Sequence, residues 1–200
     1  MVSIAFSTLS SSVFAAGGPL KLDHMLNLDE TGIWARHNQL AVQNLSTIVL
    51  VGGALWEGTD SRLGKTLWKA TDAMLFADVA AAATKLVFRR QRPIDGNDPN
   101  AWFNSSKDKS FPSGEVTHIT ALVTPFIVEY GKEHPAVWGL AALPVYVGIA
   151  RMKSQAHWQT DVLAGMALGG GVGYYAQSHE NSWKAAVLPK GITVGFKHRF

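Results

Sequence analysis

The chain has 200 residues, 47% of them hydrophobic and 16% charged, with a mean hydropathy of +0.06. Such a composition excludes a disordered chain, and 19 glycines and 8 prolines are too few for collagen-like or low-complexity sequence. The lack of cysteine excludes disulfides, thiolate metal sites and a cysteine nucleophile, and the sparse basic residues behind the net charge of +3 give no footprint for nucleic acid.

In chain order, residues 1–16 carry no charge. An apolar stretch, Val2 to Phe6, leads through serines to Val13-Phe14-Ala15-Ala16, which has the small-residue spacing of a cleavage site. This predicts a signal peptide over 1–16 and a single mature domain over 17–200, although no Lys or Arg precedes the apolar stretch. Leu20 to Arg36 is read as a polar helix, followed by an apolar run from Leu40 to Trp56 and a loop from Glu57 to Gly64. Thr66 to Phe88 has the spacing of a long helix, with Leu67, Ala70, Met74, Leu75, Val79 and Ala82 on its apolar face. Pro93 ends helical structure. Ile94 to Lys109 is a polar loop, long enough to suggest a functional role. Helices are predicted over Glu115 to Tyr130, over Ala136 to Met152 with a kink at Pro144, and over His157 to Gln177. The tail from Gly191 to Phe200 alternates like a strand docked on the domain.

The class is all-α, a bundle of five to six helices. The apolar runs fall short of the roughly 20 residues a membrane span needs, and Asp72, Asp78 and Lys85 on one helix would be costly in lipid. The expectation is an exported, periplasmic bundle that touches a membrane surface, with an inner-membrane protein as the alternative. Gly165, Gly169 and Gly173 recur every fourth residue and predict close helix packing.

Three patches carry chemistry. Lys85 and Arg92 are seven residues apart, which on a continuous helix is two turns and one face, fit to clamp an anion; a solvated basic helix end reads the same way. Phe111-Pro112-Ser113-Gly114-Glu115 opens a helix, whose free N–H groups favour an anion; Ser113 is either a donor to it or a plain N-cap. In Arg151 to Asp161, His157 and Asp161 are at i, i+4 spacing, so a carboxylate would hold one ring nitrogen and leave the other free as a nucleophile or base; a surface His–Asp pair has the same spacing. Arg151 adds a planar fork for phosphate oxygens.

Taken together, Lys-x6-Arg-Pro, Pro-Ser-Gly and Arg-x5-His-x3-Asp in this order resemble the type 2 phosphatidic acid phosphatase (PAP2) superfamily, which includes bacterial acid phosphatases, lipid phosphate phosphatases and vanadium haloperoxidases. The resemblance covers about Thr66 to Gln177. It implies a helical bundle in which Lys85, Arg92, Arg151, Ser113 and the Gly114 amide bind phosphate, His157 attacks phosphorus to form a phosphohistidine, and Asp161 orients it. It implies no metal and no cofactor. The expected activity is a phosphatase on monoesters or diphosphates, with phosphorylated lipids (phosphatidic acid or prenyl diphosphates) as leading substrates because the helices are so apolar.

One departure stands out. Where the resembled family continues Pro-Ser-Gly with an acid histidine, this chain has Glu115. A protonated Glu115 is one candidate acid for the leaving group, and His118, one turn on, is a second. The rivals are a nonspecific phosphatase on soluble esters and a non-catalytic anion- or lipid-binding bundle; a vanadate peroxidase is disfavoured by Glu115. Trp102 and Phe103 in the long loop either border the substrate entrance or anchor the loop by packing.

Overall fold

A computed structural model describes residues 17–179 in full, and the backbone of 183–188 and 191–196. The expected signal peptide over 1–16 lies outside the described residues. Five α-helices follow in order: α1 (Arg36–Glu57), α2 (Arg62–Phe88), α3 (Gly114–Tyr130), α4 (Ala142–Lys153) and α5 (Gln159–Ser178). A two-stranded antiparallel hairpin, β1 (Trp183–Leu188) and β2 (Gly191–Phe196), follows them. The tail thus contains a strand as its alternation predicts, paired with the segment just before it.

Helix α3 is the axis of the bundle, buried along Val116, Thr117, Ile119, Ala121, Leu122 and Val123. Leu122 and Val123 pack with Leu50 and Ala54 of α1 and Leu67, Ala70 and Met74 of α2. Val116 and Ile119 pack with Val147 of α4 and Val162 of α5. The closest approach is between α3 and α5, and the glycine repeat causes it. A Cβ on Gly165 would lie 2.7 Å from the Ser113 carbonyl, on Gly169 2.3 Å from the Thr117 carbonyl, and on Gly173 2.7 Å from Thr124. Small residues do the same on α2, where Ala73 and Ala77 are fully buried against Ala121.

Large side chains take the opposite course. Leu75, Phe76, Val79, Leu86 and Val87 of α2 face outward, as do Leu45, Ile48, Val49 and Trp56 of α1. This corrects the expected inward placement of Leu75 and Val79. Small residues inside and large apolar ones outside is the arrangement of helices that pack in lipid. The helices are also longer than their apolar runs suggested. Arg36–Glu57 and the continuous stretch Pro135–Lys153 are long and apolar enough to cross a membrane, and 22 residues of helix span about 33 Å. Asp78, one of the two acidic residues of α2, is paired with His118 at 2.9 Å.

Other boundaries moved as well. Residues 17–35 form no α-helix; they contain two short 3₁₀ turns, Pro19–Lys21 and Gly32–Trp34. The segment crosses the end of the bundle, where His24 and Gln159 exchange hydrogen bonds and Gln155 donates to the Leu26 carbonyl. Pro144 causes no kink within a helix; it lies in the first turn of α4, after a 3₁₀ stretch Pro135–Ala141.

Candidate active site

The three patches meet at the end of the bundle that residues 17–35 cross. Helix α2 stops at Phe88 because Arg89 turns left-handed, with φ of 42°. Arg92 therefore does not continue the helix, and it shares no helical face with Lys85. It reaches the same region by the turn that follows, close enough to act on the Lys85 charge. Lys85 points at the segment leading into α3, and its Nζ donates to the carbonyls of Lys109 (2.8 Å), Ser110 (3.4 Å) and Pro112 (2.5 Å). Its ammonium thereby lies beside the start of α3, where a Cβ on Gly114 would be 3.5 Å from Lys85 Cε.

Ser113 is the N-cap of α3 by position, yet its hydroxyl caps nothing. The Ser113 N–H donates to the Asp161 carbonyl at 2.9 Å, which ties the start of α3 to the start of α5. His157 is not on α5: it lies in the turn between α4 and α5, just before the N-cap Trp158. The i, i+4 relation thus joins a turn residue to the third residue of the helix. His157 Nδ1 and Asp161 Oδ2 are 3.7 Å apart, longer than a hydrogen bond. Burial holds the imidazole well below its ordinary value, at about 4; the nearby Lys85 and Arg151 charges push the same way, and Asp161 opposes them. His157 is therefore neutral across the physiological range.

Five buried side-chain polar atoms have no partner among the described residues, and three of them are here: Ser113 Oγ, Arg151 Nε and His157 Nδ1. A buried polar atom left unsatisfied costs about 1–3 kcal/mol. Two donors, a neutral imidazole, an α-helix N-terminus and three cations around one place are groups that can hold a multiply charged oxyanion.

Several residues that complete the site left no local signal. Arg90, fully buried, donates to Asp161 Oδ1 at 2.6 Å and to Asp23 Oδ2 at 2.6 Å. Asp23 also accepts from the Thr160 hydroxyl and N–H, at 2.7 and 2.8 Å. The second Asp161 oxygen accepts from Ser110 Oγ (2.5 Å) and from the Trp158 N–H (2.9 Å), the reach-back of a capping carboxylate. Asp161 is thus fixed before it meets His157. Trp102 stacks on Arg90 at 4.4 Å and packs edge-on with Phe88 and Phe111, so the loop aromatics anchor the loop.

Glu115 is bound by Arg36 of α1 in a bidentate pair, 2.7 Å for each bond, and lies 3.7 Å from Arg151 Nε. Gln39 Oε1 is within 3.4 Å of both arginines. A carboxylate so placed is ionised, which corrects the expectation of a protonated Glu115. His118 is engaged at both ring nitrogens, Nδ1 with Asp78 and Nε2 with Thr47, each at 2.9 Å. It ties α3 to α1 and α2, and has no ring nitrogen left for a leaving group.

The chain is 30% identical over 164 residues to the lipid A 1-phosphatase of Porphyromonas gingivalis, covering 76% of this chain and 34% of that protein; it spans about a third of that relative's length. In fold it is similar to Aquifex aeolicus LpxE, with a TM-score of 0.54 at 18% identity over 70% of this chain and 84% of the other. A transmembrane PAP2 type phosphatidylglycerolphosphate phosphatase from Bacillus subtilis gives a TM-score of 0.49 at 21% identity, over 74% and 77%. The pattern of the PAP2 superfamily matches residues 66–183. That span takes in Lys85, Ser113, Arg151 and His157 together, and the chain belongs to the PAP2 superfamily.

Proposed function

We propose that this chain is a membrane-embedded phosphatase that hydrolyses phosphorylated lipids through a phosphohistidine at His157, without a metal or cofactor, with its site on the exported side. The observation that carries this reading is the convergence of unsatisfied Ser113 Oγ and Arg151 Nε on the N-terminus of α3, beside a neutral, buried His157. The substrate phosphate lies against Ser113, the Gly114 amide, Arg92 and Arg151, with Lys85 adding charge from behind. His157 presents Nε2 to phosphorus, because its Nδ1 side faces Asp161. As the P–N bond forms, the ring gains positive charge and its Nδ1–H closes on Asp161, a contact that commonly tightens only with substrate bound. Water then attacks phosphorus from the side the leaving group vacated and releases inorganic phosphate. Phosphoryl transfer asks mainly for such positioning and charge compensation.

A lipid substrate is favoured by the apolar exterior and by a groove of about 410 Å³, lined by Leu45, Val49, Leu122, Phe126 and Leu143, on the α1 side of the bundle. Arg36 begins α1 at the site end, so a phosphate head at the site would place a hydrocarbon chain along this helix. The test is phosphate release from lipid phosphates in mixed micelles, with labelled phosphate trapped on the chain by acid-free quenching. Label that survives in His157→Ala, or never appears with any lipid or soluble ester, overturns the reading.

A further inference from the structure

Glu115 is ionised, yet its carboxylate is turned toward the pocket. Its Oε2 lies 3.7 Å from Arg151 Nε, the buried, unsatisfied atom assigned above to the substrate phosphate. Its charge also reaches Lys85 and His157. It stands in the first turn of α3, where free N–H groups and the helix dipole favour negative charge. A carboxylate is a smaller oxyanion than phosphate, but the same partners attract both. Two anions brought to such a place repel each other, and away from bulk water that repulsion is screened much less. Arg36 sets how far the carboxylate reaches. Its bidentate bonds of 2.7 Å are closer than the approach to Arg151, so Glu115 rests on Arg36 and leans on Arg151. Gln39, fully buried, faces both guanidinium groups with Oε1 at 3.4 Å and is anchored through Nε2 on the Trp34 carbonyl at 2.7 Å. The cluster is thus fixed from α1.

Resting on the phosphatase reading above, we propose that Glu115 is an internal competitor of phosphate, whose carboxylate contests Arg151 with the bound oxyanion and so drives inorganic phosphate from the site. Arg36 is the positioning residue that limits this competition, by holding the carboxylate back. Glu115 is thereby a specificity-determining residue. It weakens the hold on any bare phosphate, whereas a substrate carries a second part whose binding energy the product lacks. Three cations and a helix N-terminus without this carboxylate would retain the product, and its release would then limit turnover.

The experiment is calorimetric titration of the full chain in detergent with inorganic phosphate, near neutral pH and without substrate. Glu115→Gln keeps the shape and removes the charge. It is expected to lower the Kd for phosphate at least about tenfold, which is about 1.4 kcal/mol. Glu115→Ala is expected to tighten binding likewise, and thermal melting checks that each variant folds. Arg36→Met frees the carboxylate to move onto Arg151 and is expected to weaken phosphate binding about threefold or more. The opposite signs carry the test, because a merely structural role would weaken binding in every variant. Unchanged or weaker binding in folded Glu115→Gln and Glu115→Ala overturns the competitor proposal, while label on His157 of the wild type keeps the phosphatase reading. If phosphate binds to no form of the chain and no label appears on His157, the phosphatase reading falls and the proposal with it.

Discussion

At the residue scale the site is a set of charges held apart from one another by fixed partners. His157 is neutral because it is buried, with a value of about 4 against an ordinary 6.5. The unfolded chain binds a proton below pH 6.5 and the folded one only near 4, so between these values folded stability rises with pH. The full difference is worth up to roughly 3 kcal/mol, present above 6.5 and lost toward 4. NMR titration of the His157 ring in the substrate-free protein is the check, and a midpoint near 6.5 would refute it. Asp161 depends on Arg90, and Arg90 on Asp23. Removing one partner of a buried ion pair costs about 3–5 kcal/mol. Asp23→Asn, which keeps the shape but not the charge, is expected to lower the melting temperature. It should also lower kcat more than it raises KM, with partial rescue in no variant that lacks Arg90. Both partners lie far from Asp161 in sequence, Asp23 on a segment read as helix and Arg90 inside a basic run. Pairings across such separations leave no periodicity to read. The same holds for Arg36 and Glu115, 79 residues apart.

At the element scale, spacing was a good guide to where helices lie and end, and a poorer one to where they begin. The glycine repeat of α5 predicted its close packing, since only residues without a side chain let two backbones meet at this distance. A methyl group on Gly169 has the Thr117 carbonyl in its way, whereas one on Gly171 meets nothing. Gly169→Ala is expected to destabilise by about 1–3 kcal/mol and to reduce turnover by displacing α5 from Ser113. Gly171→Ala should be neutral or stabilising by roughly 0.5–1 kcal/mol. Chemical denaturation in detergent distinguishes the two. The end of α2 at Phe88 was legible, but the shared face of Lys85 and Arg92 was misjudged, because that reading carries the helix on towards Pro93. The left-handed Arg89 ends it earlier, and that turn brings Arg92 to the pocket. The inward or outward sense of Leu75 and Val79 was also hidden, because a helix that is apolar on every side has no polar face to fix its orientation.

At the scale of the whole molecule, α1 and α2 expose large apolar side chains along their length, among them Ile48, Val49, Phe76 and Val79. One end of the bundle holds the candidate site; the other is clamped by Arg62, which bonds Glu129 at 2.5 Å and Glu133 at 2.6 Å. The chain is expected to remain in membranes washed with alkaline carbonate. A charge on this apolar surface, such as Phe76→Arg with Val79→Arg, should reduce the membrane-integrated fraction, at a cost of about 2.5–3.5 kcal/mol for each at mid-depth. Extraction of the wild type by carbonate would overturn this. The segment across the site end has one more consequence. Asp23 is made before its partner Thr160, which comes 137 residues later. At translation rates of about 5–20 residues per second, the early segment waits many seconds for its seat. The site therefore cannot close until α5 has begun to form, and a chain truncated before Thr160 is expected to show none of the proposed activity.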